Sequence, residues 1–142
     1  MNNIMEVKFS AKSENESLAR VIVASFAAKL DPTIDELSDI KTAVSEAVTN
    51  AIIHGYEEDE TKFVHMRCEL IENTIKVVVE DYGKGIEDIE EAKQPMFTSK
   101  PELERSGMGF SFMESFMDDM QVASIVGEGT KVIMTKTIEV PK

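Results

Sequence analysis

The sequence predicts a two-layer α/β (α+β) sandwich, with a mixed, mostly antiparallel sheet and helices on one face. Three observations carry this. Two segments with helical spacing stand together near the start, two strand-like runs follow across a short turn, and a further helix precedes a second pair of runs. Short connections make each pair of runs an antiparallel hairpin, and consecutive helices then pack as a layer on the sheet. The 142 residues fit one domain, 1–142, since domains commonly hold roughly 100–200 residues.

Met5, Val7 and Phe9 alternate with Glu6 and Lys8, the pattern of an opening strand. Ser13 to Glu16 has the spacing of a capping box, which predicts a helix from there to about Lys29, stopped by Asp31-Pro32. Thr33 to Glu36 repeats the box and predicts a longer helix to about His54, closed by Gly55 as C-cap. Strands are expected at about 62–70 and 75–80, turning at Glu72-Asn73. A glycine turn, a short acidic helix around Asp88–Ala92 and an irregular stretch from Gln94 to Ser106 come next. A helix at about Met108–Met117 follows. Strands near 122–126 and 131–138 then flank Gly127-Glu-Gly129.

Lys and Arg number 15 against 27 Asp and Glu, a net charge of −12. So acidic a surface argues against free nucleic acid as the main partner. The hydrophobic share of 42% suffices for a core. One cysteine, Cys68, excludes an internal disulfide and a multi-cysteine metal site. No apolar run reaches the ~20 residues of a membrane span, and the start lacks a basic, apolar leader, so a soluble cytoplasmic protein is expected.

With Leu37 at zero on a helical wheel, Ile40, Val44, Ala47, Val48 and Ala51 form the core stripe of the second helix. Glu46 and Asn50 stand one above the other on the opposite side, in a sector shared with Ala43 and Ile53. Such a face is either a solvated polar pair or the lining of a pocket. In a pocket, an asparagine carbonyl is a hard ligand for Mg²⁺ beside phosphate oxygens, and a carboxylate one turn away can accept a hydroxyl proton.

Asp81-Tyr-Gly83-Lys-Gly85 follows the apolar run Val77–Val79. It reads as a tight turn, or as a fixed acceptor for an adenine amine beside backbone that a ligand can approach closely. Ser106-Gly107-Met-Gly109 opens a helix whose N–H groups suit an anion. Between these turns lie Lys84, Lys93, Lys100 and Arg105, and Phe97 to Pro101 is an irregular stretch of the kind that closes over phosphates. Gly129-Thr130 places a hydroxyl at the start of the last strand.

The order of these elements resembles the histidine-kinase-like (GHKL) ATPase superfamily, whose Bergerat fold is an α/β sandwich around ATP and Mg²⁺. The resemblance spans about residues 5–138. Residues 45–56 and 97–110 are similar, more narrowly, to the anti-sigma F factors of spore-forming bacilli. The resemblance implies an enzyme, a serine/threonine-protein kinase that binds and inhibits a sporulation sigma factor. It would use ATP, with ADP as product, to phosphorylate a serine of a small anti-anti-sigma protein. By position it implies Glu46 as catalytic base, Asn50 on Mg²⁺, Asp81 on adenine and Thr130 in support. Gly83, Gly85, Gly107 and Gly109 would let backbone reach the nucleotide, and Thr98, Ser99, Lys100, Arg105 and Ser106 would form a short phosphate-side lid. The family also implies a homodimer.

In the first helix, Glu16 and Arg20 pair at i,i+4, with Val23 and Ala27 in the same sector. The stripe is either solvated or an interface, for a second copy or for sigma, with Arg20 as polar anchor and Glu16 and Arg105 beside it. Two other functions stay open on the residues. One is a non-catalytic ATP-binding module for protein docking; the other is the ATPase part of a histidine kinase. For the latter, His54 and His65 are the two histidines, and neither has an upstream dimerising helix pair to carry it.

Overall fold

A computed structural model describes residues 2–89 and 109–139. Among them the chain forms five strands in one sheet: β1 (Asn2–Ser10), β2 (Phe63–Ile71), β3 (Thr74–Asp81), β4 (Asp119–Ile125) and β5 (Gly129–Thr137), in the order β1-β2-β3-β5-β4. Every ladder is antiparallel. Alternation decides the faces. In β3, Ile75, Val77, Val79 and Asp81 are buried beneath the helices, and Val132 and Met134 of β5 continue that face. The opposite face carries exposed ion pairs such as Arg67 with Glu6, which contribute at most about 1 kcal/mol each.

Among the described residues three α-helices cover the sheet: α1 (Asn15–Ala27), α2 (Ile34–Asn50) and α3 (Phe110–Phe116). The second capping box forms as expected. Thr33 Oγ1 accepts from the Glu36 N–H at 3.0 Å, and Glu36 Oε1 accepts from the Thr33 N–H at 2.8 Å. The first box does not form. Helix α1 begins with no side-chain cap, and Glu16 instead accepts the Ser45 hydroxyl of α2 and pairs with Arg20 at 3.0 Å. A tertiary contact with α2 has displaced a local one. Val23 and Ala27 are fully buried, so the apolar half of the expected surface stripe belongs to the core.

Helix α2 packs against both α1 and α3. Its second face is therefore not a solvated one: Ala43 is fully buried and Asn50 is 5% exposed. Past Asn50 the chain widens into a π-helical turn, Ala51–Gly55, where the Tyr56 N–H donates to the Ala51 carbonyl at 2.9 Å. The expected glycine C-cap is absent, because the left-handed residues are Glu57 and Glu58 rather than Gly55. Most of the short acidic helix, the irregular stretch, and Lys93, Thr98, Ser99, Lys100, Arg105, Ser106 and Gly107 lie outside the described residues. No described helix is long and apolar enough to cross a membrane.

Candidate nucleotide site

A cross-strand row forms the floor of the site. Asp81 of β3 lies opposite Thr130 of β5, which lies opposite Ser124 of β4. Directly opposed residues share a face, so all three side chains turn toward the helices. Above them runs the end of α2 with its wide turn. Between the two layers opens a cavity of about 440 Å³ lined by Asn50, His54, Asp81 and Thr130, with Val79, Phe110 and Val132 among its apolar walls. A few convergent polar groups in an apolar cleft are the usual make-up of a small-molecule site.

Asp81 is buried, and burial pushes its carboxyl up to about 6; the N–H groups of Gly83 and Thr130 pull it back, and nearby Glu80 adds to the rise. The Gly83 N–H reaches Oδ1 at 2.9 Å. The carboxylate is thus held at a fixed place with lone pairs to spare. Gly55 explains the space beside it: a Cβ there would lie 2.7 Å from the carboxylate atoms of Asp81. The Gly55 carbonyl accepts from the Lys84 N–H at 3.0 Å, tying the wide turn to the glycine turn after β3. Gly85 and Ile86 continue that turn along the cavity wall.

Glu46 stands one turn before Asn50, partly buried, outside the lining of the cavity. It meets the start of α3, where Gly109 has φ +71° and any side chain would collide with the Glu46 carboxylate. The structure therefore brings Glu46 to Gly109, and Asp81 to Gly83 and Thr130; Asn50, Asp81, Gly85 and Thr130 line the cavity, while Glu46, Gly83 and Gly109 stand outside its lining. Lys84 is the described cation on the cavity wall, beside Glu87 and Asp88. Among the described residues no three His, Cys, Asp or Glu converge as a metal site. Glu16 and Arg20 lie on α1; Arg20's side chain is 42% exposed.

Three residues of the site escape the sequence reading. Gly55, expected to end a helix, instead makes room for Asp81. Tyr56 is buried with its hydroxyl donating to the Phe63 carbonyl at 2.6 Å and accepting from the Tyr82 N–H at 2.8 Å. Ser124 joins the floor by strand register. Counting pairs back from the Gly127–Gly129 turn would have placed it there. His54 lines the cavity, as its position one turn beyond Asn50 suggests.

The family described as Histidine kinase-like ATPase domain matches residues 9–136. The anti-sigma F factor of Clostridium perfringens strain SM101 is 62% identical over 136 residues, covering 96% of this chain and 97% of that protein. That of Anoxybacillus flavithermus is 59% identical over 136 residues, covering 96% and 93%. Among solved structures, the RsbU and RsbW domains of Rv1364c from Mycobacterium tuberculosis align with TM-score 0.69 at 17% identity, over 96% of this chain and 32% of that one. The catalytic domain of histidine kinase ThkA aligns with TM-score 0.58 at 18% identity, over 94% and 96%. At such identities the structures show a shared fold.

Proposed function

The chain belongs to the histidine kinase-like ATPase family and to its anti-sigma F factor branch, and on that premise we propose that it restrains a sporulation sigma factor and is an ATP- and Mg²⁺-dependent serine kinase. Its substrate in this reading is a serine of a small anti-anti-sigma protein. The observation that supports it best is the buried Asp81 carboxylate on the floor of a cavity of about 440 Å³, with Asn50 among the lining residues.

The residues present fit the ligand. Asp81 offers lone pairs to an exocyclic amine, the space at Gly55 keeps that carboxylate clear, and Val79, Phe110 and Val132 supply apolar walls for a base. Asn50 contributes the hard oxygen that Mg²⁺ prefers. Bound there, the ion would neutralise charge on the phosphates. Glu46 receives the proton of the serine hydroxyl as its oxygen bonds to the γ-phosphorus and ADP departs. Thr98, Ser99, Lys100, Arg105, Ser106, Gly107 and Gly109 make the phosphate side. Arg20, with Glu16 and Arg105, anchors the protein partners, and two copies of the chain form the working unit.

The test is to incubate the purified chain with Mg²⁺, γ-labelled ATP and a candidate anti-anti-sigma protein. Acid-stable phosphoserine on the partner, together with co-purification of sigma, is expected. ATP binding without transfer would replace the kinase by a docking module. Acid-labile label on the chain itself would favour histidine-kinase chemistry.

A further inference from the structure

We propose that Lys136 is a positioning residue that acts from the far end of α3: it sets that helix along α2 so that Gly109 meets Glu46 and holds its carboxylate in place. The proposal rests on the reading of Glu46 as base and deepens it.

Asp39, Ala43, Glu46 and Asn50 recur at helical spacing and share one face of α2. Two charged side chains on this face reach the two ends of α3. Glu46 meets its start, where a side chain on Gly109 would collide with Glu46 Oε2. Asp39 reaches its end through Lys136 of β5. The Lys136 ammonium donates at 2.8 Å to the carbonyl of Phe116, the last residue of α3, and lies 3.6 Å from Asp39 Oδ2. Asp39 to Glu46 and Gly109 to Phe116 are both steps of seven residues, about 10 Å of helix rise. The two helices therefore lie antiparallel, and α2 clasps α3 at both ends.

Lys136 suits this task. The last carbonyls of a helix have no partner within it, and a cation there also meets the negative end of the peptide dipoles. By strand alternation Lys136 shares the helix-facing side of β5 with Val132 and Met134, and its side chain is only 12% exposed. An ammonium held between one carbonyl and one carboxylate has little freedom, so the end of α3 has little as well. The chain beyond the helix is held separately. The Asp118 N–H donates to the Thr135 carbonyl at 2.9 Å, and the Asp118 carboxylate accepts from the Thr137 N–H at 2.7 Å. Removing the lysine head therefore loosens α3 without detaching β4. In so short a helix a shift at Phe116 is passed on to Gly109, and a reacting group misplaced by about 1 Å can lose on the order of 10²-fold in rate.

The experiment is single-turnover transfer from labelled ATP, at saturating nucleotide, to an anti-anti-sigma protein that the wild-type chain phosphorylates. Lys136→Met keeps the stem in the core and removes the ammonium. It should slow transfer by about tenfold, part of the roughly 10²-fold expected for Glu46→Gln. In a Glu46→Gln background the same change should slow transfer by less than about twofold, because the group that Lys136 positions no longer takes the proton. Asp39→Lys, on a partly exposed side chain, is the second variant. It repels the ammonium from the helix end and should give the same pattern, with far-ultraviolet circular dichroism as the check that each chain is folded. Folded variants that transfer at the wild-type rate would overturn the proposal. So would equal slowing with and without Glu46, which would make α3 a support of the fold alone. A wild-type chain that phosphorylates no such protein, or a Glu46→Gln chain with the full rate, would overturn the kinase reading itself.

Discussion

Gly55 and Asp81 touch across the two layers: a methyl group on the Gly55 Cα would lie 2.7 Å from the carbon and both oxygens of the Asp81 carboxylate. Gly55 has a backbone that alanine adopts readily, since its φ is not among the positive ones. Gly55→Ala therefore tests contact with Asp81 and little else. The fold should survive, while the displaced carboxylate should weaken ATP binding by at least about tenfold, the effect of losing one charge-assisted hydrogen bond. Calorimetry on the variant decides it, with far-ultraviolet circular dichroism as the check on folding.

Asp81 also sets a pH dependence. Burial raises its carboxyl from 3.8 to about 6 in the folded chain. Between those values the native state keeps a proton that the unfolded state releases. The favourable contribution is full below about 3.8 and is lost as pH rises through 6. Asp81→Asn keeps an oxygen for the Gly83 and Thr130 N–H groups and has no charge to bury. The variant should therefore gain on wild type as pH rises from 4, and above 6 it should be more stable by on the order of 2–3 kcal/mol. It should also lose ATP, because an amide N–H would face the amine it must accept from. Urea titrations from pH 4 to 8 measure the first effect and calorimetry the second.

The contrast between the two capping boxes shows what the sequence made legible. Thr33 and Glu36 satisfy each other within one turn, so four adjacent residues suffice to place the start of α2. Ser13 and Glu16 carry the same spacing, but Glu16 is taken by Ser45, 29 residues away, and no local rule sees that contact. The site divides in the same way. Asn50, Asp81 and Thr130 stand out by type and order. Gly55 and Tyr56 do not, because the reasons for them are Asp81 and Tyr82, which only the folded sheet brings beside the end of α2. Glycine after a helix signals a cap whether or not it serves as one.

Glu46 and Gly109 make a second close pair, at the start of α3. Glu46→Gln preserves shape and one acceptor oxygen but cannot take a proton. It should retain ATP affinity within about twofold and slow transfer to the partner serine by roughly 10²-fold, the lower part of the range for a general base. Gly109→Ala should do comparable harm by moving the carboxylate, and the strain at φ +71° adds to it. Single-turnover kinetics with labelled ATP separate these effects from binding. A Glu46→Gln chain with unchanged transfer would remove Glu46 from the chemistry. Asn50→Ala, by contrast, should weaken Mg²⁺-ATP more than metal-free ATP, which paired titrations with and without the ion would show.

Tyr56 also links the layers. Its buried hydroxyl serves the Phe63 carbonyl at the start of β2 and the Tyr82 N–H directly after Asp81. Burial also holds the phenol above its ordinary pKa, so it stays protonated and able to donate at neutral pH. Tyr56→Phe keeps the ring in the core and removes the bridge. Both backbone groups then lose a partner in a part-buried place, at a cost on the order of 1–3 kcal/mol. Denaturation should report that loss with an unchanged m-value, since the surface exposed on unfolding is the same. Because the freed N–H belongs to the residue after Asp81, the loss should extend to the cavity floor. The variant should bind ATP more weakly even at temperatures where it is fully folded. Loss of stability with intact affinity would confine Tyr56 to the fold.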